Sequence, residues 1–317
     1  MSNTDAEAIE QKASIFNVQR FNIYDGPGVR SIIFFKGCPL RCKWCSNPEG
    51  LGSGYDVMFK SSVCTDCGEC VKVCPVGIHT ILESNNKHKV RRDIKCIGCR
   101  KCESVCPASA LSISGEEKSI SELLEIIEKD RAFYDTSGGG ITIGGGEPLL
   151  QPEAAANLLM KCKQEGINTA IETSGYAKQE DLLKVAEFVD LFLFDIKHIS
   201  PEKHLEFTGV RNELILSNLQ ELIRRGYNVL IRMPLLKGVN SSKEDIEKVI
   251  EFLKPFRECK NFKGIDLLPY HKMGVHKYQQ LDKEYLCKEE ASLNAEEMKE
   301  IEGWFKAQDF NVRIVNH

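Results

Sequence analysis

From Ile120 onward the apolar positions fall into two alternating periods. Helical spacing, as at Leu123, Leu124, Ile126 and Ile127, predicts helices over 120–134, 152–165, 179–188, 214–225, 243–254 and 294–308. Between them lie short apolar runs that predict strands at 140–143, 169–172, 191–196, 229–233, 264–268 and 311–315. An earlier strand is expected at Ser31-Ile-Ile-Phe-Phe35. Strands that alternate with helices pair in parallel, and six or so such units predict an α/β fold, a partial (β/α)6 barrel. A dinucleotide-binding sheet is the rival, but no GxGxxG opens a helix after a strand. In a barrel the chemistry sits just after the strands. Here those positions read Gly144-Gly-Gly-Glu147, Glu172-Thr-Ser-Gly175, Asp195-Ile-Lys197, Arg232 and Pro269-Tyr-His271.

Residues 54–113 break this rhythm. They lack long periodic segments and are too few to bury a core unaided, which calls for a staple. Eleven of the 14 cysteines lie between Cys38 and Cys106, while Cys162, Cys259 and Cys287 read as packing residues. The start of the chain is polar, without a signal core, and no apolar run approaches the ~20 residues that span a bilayer. A cytoplasmic protein is therefore expected, and in a reducing compartment crowded cysteines are metal ligands rather than disulfides. The net charge of −4 argues against a nucleic-acid binder by bulk charge. The expected organisation is a barrel over 15–53 and 114–317, an insert over 54–113, and a flexible 1–14.

Two cysteine runs share one spacing. Cys64-x-x-Cys67-x-x-Cys70-x-x-x-Cys74-Pro75 recurs as Cys96-x-x-Cys99-x-x-Cys102-x-x-x-Cys106-Pro107. This is the bacterial ferredoxin pattern, in which the fourth cysteine of each run serves the other cluster. The expected ligand sets are Cys64, Cys67, Cys70 and Cys106 for one 4Fe–4S cluster, and Cys96, Cys99, Cys102 and Cys74 for the other. Zinc also uses CxxC pairs, but it explains neither the third cysteine, nor the prolines, nor the duplication. The loop Cys38-x-x-x-Cys42-x-x-Cys45 has only three thiols. Three ligands on a four-iron cluster leave one iron open to a substrate, and this loop follows the first barrel strand.

With Trp44 before its third cysteine, that loop resembles the radical S-adenosylmethionine enzymes. Tyr24-Asp-Gly-Pro-Gly-Val-Arg30, Gly145-Gly-Glu147, Asp195-Ile-Lys197 and Leu267-Leu-Pro-Tyr-His271-x-x-Gly274-x-x-Lys277-Tyr278 narrow the resemblance to the activating enzymes of glycyl radical enzymes, relatives of pyruvate formate-lyase activase. It covers nearly the whole chain after residue 15. It implies a radical-SAM barrel with a ferredoxin-like insert, and one-electron cleavage of S-adenosylmethionine to a 5′-deoxyadenosyl radical. That radical takes a hydrogen atom from a glycine Cα of a partner enzyme.

The resemblance assigns roles residue by residue. Cys38, Cys42 and Cys45 hold the reactive cluster, and Trp44 and Ser46 line the adenine site. Gly145 and Gly146 let backbone approach the cofactor, Glu147 offers a carboxylate to the methionyl ammonium, and Lys197 meets the methionyl carboxylate. Asp195, Ile196, Glu172, Arg232 and His271 complete the binding residues, and Asp25 faces the incoming glycine loop. Each has a plainer reading: Gly-Gly-Glu-Pro makes a turn, Asp195 and Lys197 a surface ion pair, and Asp25 a turn cap. Some relatives have aspartate where Glu172 stands and bind a monovalent cation there; a cation on Glu172, Thr173 and Asp195 remains open.

Two other classes share parts of this pattern. An electron-transfer module needs no three-cysteine loop, and a radical enzyme acting on a small metabolite has no use for Asp25 to Arg30. The expected partners are a glycyl radical enzyme and a flavodoxin or ferredoxin donor, with the chain itself a monomer that engages neither membrane nor nucleic acid. The insert carries nine Lys/Arg against six Asp/Glu, concentrated between Lys87 and Lys95, and this stretch is either a solvated linker or a docking site for an acidic donor.

Overall fold

The computed structural model describes residues 10–287 and 289–315. The chain opens with an antiparallel pair, β1 (Lys12–Asn22) and β2 (Arg30–Phe35). The insert follows with β3 (Asp56–Phe59), α1 (Glu69–Val73), β4 (His79–Leu82), β5 (Lys87–Val90), α2 (Lys101–Ser104) and β6 (Leu111–Ser114). Then come β7 (Glu116–Ser119), α3 (Ile120–Glu128), α4 (Arg131–Ser137), β8 (Gly140–Gly145), α5 (Pro152–Gln164), β9 (Asn168–Thr173), α6 (Gln179–Ala186) and β10 (Leu191–Asp195). The chain continues through α7 (Pro201–Thr208), α8 (Glu213–Arg224), β11 (Val229–Leu235), α9 (Lys243–Leu253), β12 (Phe262–Pro269), α10 (Val275–Gln280), α11 (Ala295–Lys306) and β13 (Val312–Ile314).

The main sheet runs β13-β12-β11-β10-β9-β8-β2-β1-β7, with every pair from β2 to β13 parallel. Strand order follows chain order across the parallel part, so the reversal that defines a dinucleotide-binding sheet is absent. Successive side chains of a strand point to opposite faces. Ile33, Phe35, Ile141, Ile143, Ile171, Phe192, Phe194, Ile231, Met233, Ile265 and Leu267 join one apolar core with the helices. The alternate residues Phe34, Glu172, Asp195, Arg232, Pro234 and Leu268 instead line a single cavity, so the sheet curves round it as a partial barrel.

Several boundaries differ from the sequence expectation. The helix expected over 120–134 is broken between α3 and α4, where Asp130 is buried to accept from the Arg20 guanidinium and from Ser31 Oγ at 2.7 Å. Lys12, Ala13 and Ser14 belong to β1, paired to β7 from Lys12↔Ser119 to Ile15↔Glu116, and not to a flexible leader. The remainder of that leader, residues 1–9, lies outside the described residues. Among the described residues no helix is long and apolar enough to cross a membrane.

The insert hangs from the barrel by a two-stranded neck, β3 with β6. Its small core of Val57, Phe59, Ile78, Val90, Ala110, Leu111 and Ile113 contains Cys70 and Cys102 and packs against Cys64, Cys74, Cys96 and Cys106. So much sulfur in so little apolar volume is the arrangement of a domain whose stability comes from bound metal. Charged side chains fix the joint. Lys36, with no exposed side-chain surface, donates from Nζ to Glu49 O at 2.7 Å and to Asp56 Oδ2 at 2.8 Å. Arg92 donates to Val57 O at 2.6 Å, Asp282 Oδ2 at 2.9 Å and Gln280 O at 2.8 Å, clamping the insert to the end of α10. Arg92 therefore leaves the basic stretch noted in the sequence. Lys87 is also paired, with Asp66 at 2.8 Å, and Arg91 with Asp93 at 3.1 Å.

Candidate active site

The carboxyl ends of β2, β8, β9, β10, β11 and β12 converge on a cavity of about 290 Å³. Its lining includes Asp25, Cys38, Cys42, Trp44, Cys45, Ser46, Gly145, Gly146, Glu172, Asp195, Lys197, Arg232 and His271. These residues are scattered over most of the chain, and the topology brings them to one mouth.

Backbone bonds mount the cysteine loop. Gly37 N donates to Gly50 O at 2.8 Å and Cys38 N to Leu51 O at 3.2 Å, while Glu147 N donates to Gly37 O at 2.7 Å. A side chain at Gly146 would place its Cβ 2.2 Å from Gly37 O, so only glycine lets the β8 turn lie against the loop. On the far side the loop is held by α7, an element the sequence did not announce: Arg41 N donates to Thr208 O at 2.6 Å and Lys43 N to Phe207 O at 3.0 Å. Trp44 packs with Phe207, ring centroids 6.4 Å apart, beside Leu236 and Ala291. The His271 segment closes the rim. A Cβ on Gly274 would sit 2.7 Å from Ser46 Cα, and Lys277 Nζ reaches Glu49 Oε1 at 2.6 Å and Asn47 Oδ1 at 3.0 Å.

The charges of the cavity are interlocked. Arg232 Nη1 donates to Asp25 Oδ1 at 2.6 Å and to Glu172 Oε1 at 3.2 Å, and Lys197 Nζ donates to Asp195 Oδ2 at 2.6 Å. Burial opposes the charge on Arg232, but Glu172, Asp25 and Asp195 outweigh it and hold the guanidinium above the usual arginine range. Lys197 is likewise kept charged against burial by Asp195, the Cys42 sulfur and Glu172. Burial pushes Glu172 up to about 7, against the pull of Arg232 and with repulsion from Asp25 and Asp195 added. Burial also lifts the Cys38 and Cys42 thiols to about 12 and raises Cys45, while Lys197 draws all three down.

Beneath the mouth, Arg30 is fully buried. Its Nε donates to Thr142 Oγ1 at 2.8 Å and its Nη1 to Pro27 O at 3.1 Å and Asn168 Oδ1 at 3.0 Å; Thr142 Oγ1 donates in turn to Asp25 O at 2.6 Å. The guanidinium is thus a strut under the Asp25 turn, a role that the run Asp25 to Arg30 carried in the sequence without declaring it.

Two expected contacts do not face the cavity. Glu147 is 1% exposed, and its carboxylate accepts from Thr173 Oγ1 and Ser174 Oγ, both at 2.6 Å, and from Ser174 N at 2.9 Å. With both oxygens engaged it braces the turn after β9 and offers nothing to an ammonium group. Ile196 belongs to the outward core, as alternation from Asp195 requires. The sequence reading missed Asn47, Ser174, Pro234 and Tyr270, all of which line the cavity. Of these Ser174 and Tyr270 stand inside the strand-end runs and Asn47 beside the cysteine loop, so only Pro234 carried no local signal.

In the insert, Cys64, Cys67, Cys70 and Cys106 line one small pocket. Burial and then Cys96 raise Cys102 to about 11, with Cys74 adding to the effect, which puts Cys74 beside the other run. Among the described residues no disulfide joins any of the cysteines. Backbone N–H groups point at sulfur from Asn47 to Cys45, Asp66 to Cys64 and Gly98 to Cys96, each at 3.4 Å, and from Ala110 to Cys106 at 3.3 Å. A set of soft thiolates with such donors fits iron–sulfur clusters.

Comparison with known proteins agrees with this chemistry. Residues 93–253 match the model of the radical SAM superfamily, residues 55–111 a 4Fe-4S dicluster domain and residues 24–73 a 4Fe-4S single cluster domain. Both cluster models are iron–sulfur domains, so the zinc alternative falls away. The chain is 60% identical to the choline trimethylamine-lyase activating enzyme of Oleidesulfovibrio alaskensis over 98% of its own length and 100% of that protein. It is 43% identical to the trans-4-hydroxy-L-proline dehydratase activating enzyme of Clostridioides difficile, covering 95% and 98% of the two chains. Among solved structures, a domain of pyruvate-formate lyase-activating enzyme from Bacteroides vulgatus is 30% identical, covering 56% of this chain and 99% of that one, with a TM-score of 0.48.

The Glu172 environment generates a pH prediction. The folded carboxyl keeps its proton to about 7 while the unfolded chain releases it near 4.5, so between these values the folded state binds more protons and stability falls as pH rises. Relative to Glu172→Gln, the cluster-loaded protein without S-adenosylmethionine should lose roughly 2 kcal/mol between pH 5.5 and 8, read from denaturant midpoints. Parallel profiles for the two proteins would mean that Glu172 is ionised throughout.

Proposed function

The chain belongs to the radical S-adenosylmethionine activating enzymes of glycyl radical enzymes, and from that membership we propose how its own residues divide the work. When bound, S-adenosylmethionine and a reduced 4Fe–4S cluster supply a one-electron cleavage whose 5′-deoxyadenosyl radical abstracts a glycine Cα hydrogen from the partner enzyme. The observation that carries the reading is the convergence of the three-cysteine loop with buried charge of both signs at one cavity.

Cys38, Cys42 and Cys45 hold that cluster, and Lys197, fixed by Asp195, presents an ammonium beside the Cys42 sulfur for the methionyl carboxylate. Gly145 and Gly146 supply backbone polar groups where Glu147 supplies none. Trp44 and Ser46 shield the adenine side, with His271 at the rim. Arg232 gathers Asp25 and Glu172, and Asp25, on its Arg30 strut, is the contact for the incoming glycine loop. A monovalent cation on Glu172, Thr173 and Asp195 is the weaker reading, because Arg232 and Lys197 already occupy the two carboxylates. The insert over 54–113 holds the second and third clusters in the crossed ligand sets. Identity over full length supports a choline trimethylamine-lyase as the partner. The proposed state is a monomer in a reducing cytoplasm, which keeps cluster cysteines from pairing as disulfides.

Three outcomes test these assignments. Cys42→Ala should abolish S-adenosylmethionine cleavage while keeping roughly two-thirds of the iron, because the insert has its own ligands; cleavage retained in that variant would remove the loop from the chemistry. Asp25→Asn should spare slow cofactor cleavage without partner yet lower glycyl radical yield roughly tenfold or more, about the loss of one charged contact. If both activities fell together, Asp25 would only be bracing Arg232. For electron supply, the exposed hairpin cation Lys89 and the adjoining Arg91, exposed although paired with Asp93, are proposed to dock an acidic flavodoxin or ferredoxin. Lys89→Glu with Arg91→Glu should slow flavodoxin-driven activation steeply at low salt and leave dithionite-driven activation normal. Equal rates with flavodoxin would make the hairpin a solvated surface.

A further inference from the structure

The two cysteine runs are near copies, yet in the crossed ligand sets their surroundings differ at two sulfurs. The first cysteine of each run accepts the same backbone bond, Asp66 N to Cys64 and Gly98 N to Cys96, both at 3.4 Å. Each run also has a carboxylate paired with lysine at 2.8 Å: Asp66 with Lys87, its Oδ1 lying 3.8 Å from Cys64 Sγ, and Asp56 with Lys36, whose charge acts on Cys96. Beyond this shared frame, Cys64 Sγ lies 4.0 Å from His88 Nδ1, and Cys106 Sγ accepts from Ala110 N at 3.3 Å. Among the described residues no matching contact reaches Cys96 or Cys74.

His88 is held for this contact. It is buried in β5, its ring edge-on to Phe59 at 4.6 Å between centroids, and its backbone N donates to Asp66 Oδ1 at 2.8 Å. Its Nε2 lies 3.1 Å from Nδ1 of His79, the neighbour on β4, which is also buried. One proton joins those two nitrogens, and the tautomer follows from the sulfur. A thiolate ligand can only accept, so His88 Nδ1 must carry hydrogen; a neutral His88 then accepts at Nε2 from His79 Nδ1–H. This leaves His79 Nε2 as a bare lone pair, and that atom is a buried nitrogen without a partner. The opposite tautomer would bury an unpaired N–H there and set two lone pairs against each other at Cys64. Cys70, His79 and His88 bring their ligand atoms within 4.8 Å of one another, as a metal site would, but Cys70 already lines the pocket with Cys64, Cys67 and Cys106.

We infer that His88, oriented by His79, donates a hydrogen bond to the cluster held by Cys64, Cys67, Cys70 and Cys106, and makes it easier to reduce than its neighbour in the insert. Hydrogen bonds to ligand sulfur stabilise the added electron and raise a cluster's potential. The inference rests on the crossed ligand sets proposed above. It makes the two clusters unequal stations, with His88 a positioning residue for electrons and no part of the bond-breaking site.

The test is an EPR-monitored redox titration of the full chain carrying Cys38→Ala, Cys42→Ala and Cys45→Ala, so that only insert clusters contribute. This parent should show two separated midpoints and two clusters' worth of iron. Fewer clusters there would overturn the ligand assignment and leave the donor role without its acceptor. Adding His88→Leu should move the higher midpoint down towards the lower one, with iron content and the other midpoint unchanged. His88→Gln, which keeps an N–H, should recover part of the shift, and His79→Leu should give a smaller downward shift. Full iron with neither midpoint moved, or both moved equally, would overturn the inference. Loss of about half the iron in His88→Leu would overturn it too, because His88 would then be a ligand or an assembly residue.

Discussion

A strand of the parallel sheet has two faces, and in this chain they cannot be exchanged. One carries Ile171, Phe192, Phe194, Ile231 and Met233 into the helices; the other carries Glu172, Asp195 and Arg232 into the cavity. The register pairs Asp195 with Arg232, and Glu172 with Leu193, two residues back from Asp195 on the same face, so charges on three neighbouring strands enter one cavity. A slip of one residue in any of these strands would turn charge into the apolar layer, at several kcal/mol per unpaired group. The cavity is therefore a consequence of the core. The same alternation explains why Ile196, between Asp195 and Lys197, is packing rather than site.

Much of this is legible in the sequence because it depends on short-range spacing. Cysteine intervals, strand-and-helix alternation and the period of two from Asp195 to Lys197 need no knowledge of distant partners. What was not legible depends on such partners. β1 is polar at Lys12, Ser14, Asn17, Gln19 and Arg20 and becomes a strand because β2 and β7 pair with it. The short α7 has little apolar face of its own and matters because its last carbonyls hold the cysteine loop. Arg92 read as one charge in a basic run, yet its partner Asp282 is 190 residues away. Glu147 stands in a motif that suggests a ligand contact, and only the positions of Thr173 and Ser174 reveal that its carboxylate is spent on the fold.

The joint between insert and barrel runs through the segment that carries the cysteine loop. Lys36 follows β2 directly and spans from Glu49, at the end of the cysteine loop, to Asp56 at the start of the insert neck. Arg92 fastens the insert to α10, whose Lys277 holds Glu49 and Asn47 from the other side. The insert is thus braced at two points against the segment that positions Cys45 and Ser46. Such bracing suits the relay between clusters proposed above, and Lys89 stays exposed on the hairpin.

The central claim is that the cavity directs a radical to a glycine of another protein. It is tested most directly with choline trimethylamine-lyase whose glycines carry deuterium at Cα, mixed anaerobically with the reduced, cluster-loaded chain and S-adenosylmethionine. The account predicts deuterium in the 5′-deoxyadenosine, in step with a glycine-centred EPR signal on the lyase. Deuterium-free 5′-deoxyadenosine with no signal on the lyase would contradict it.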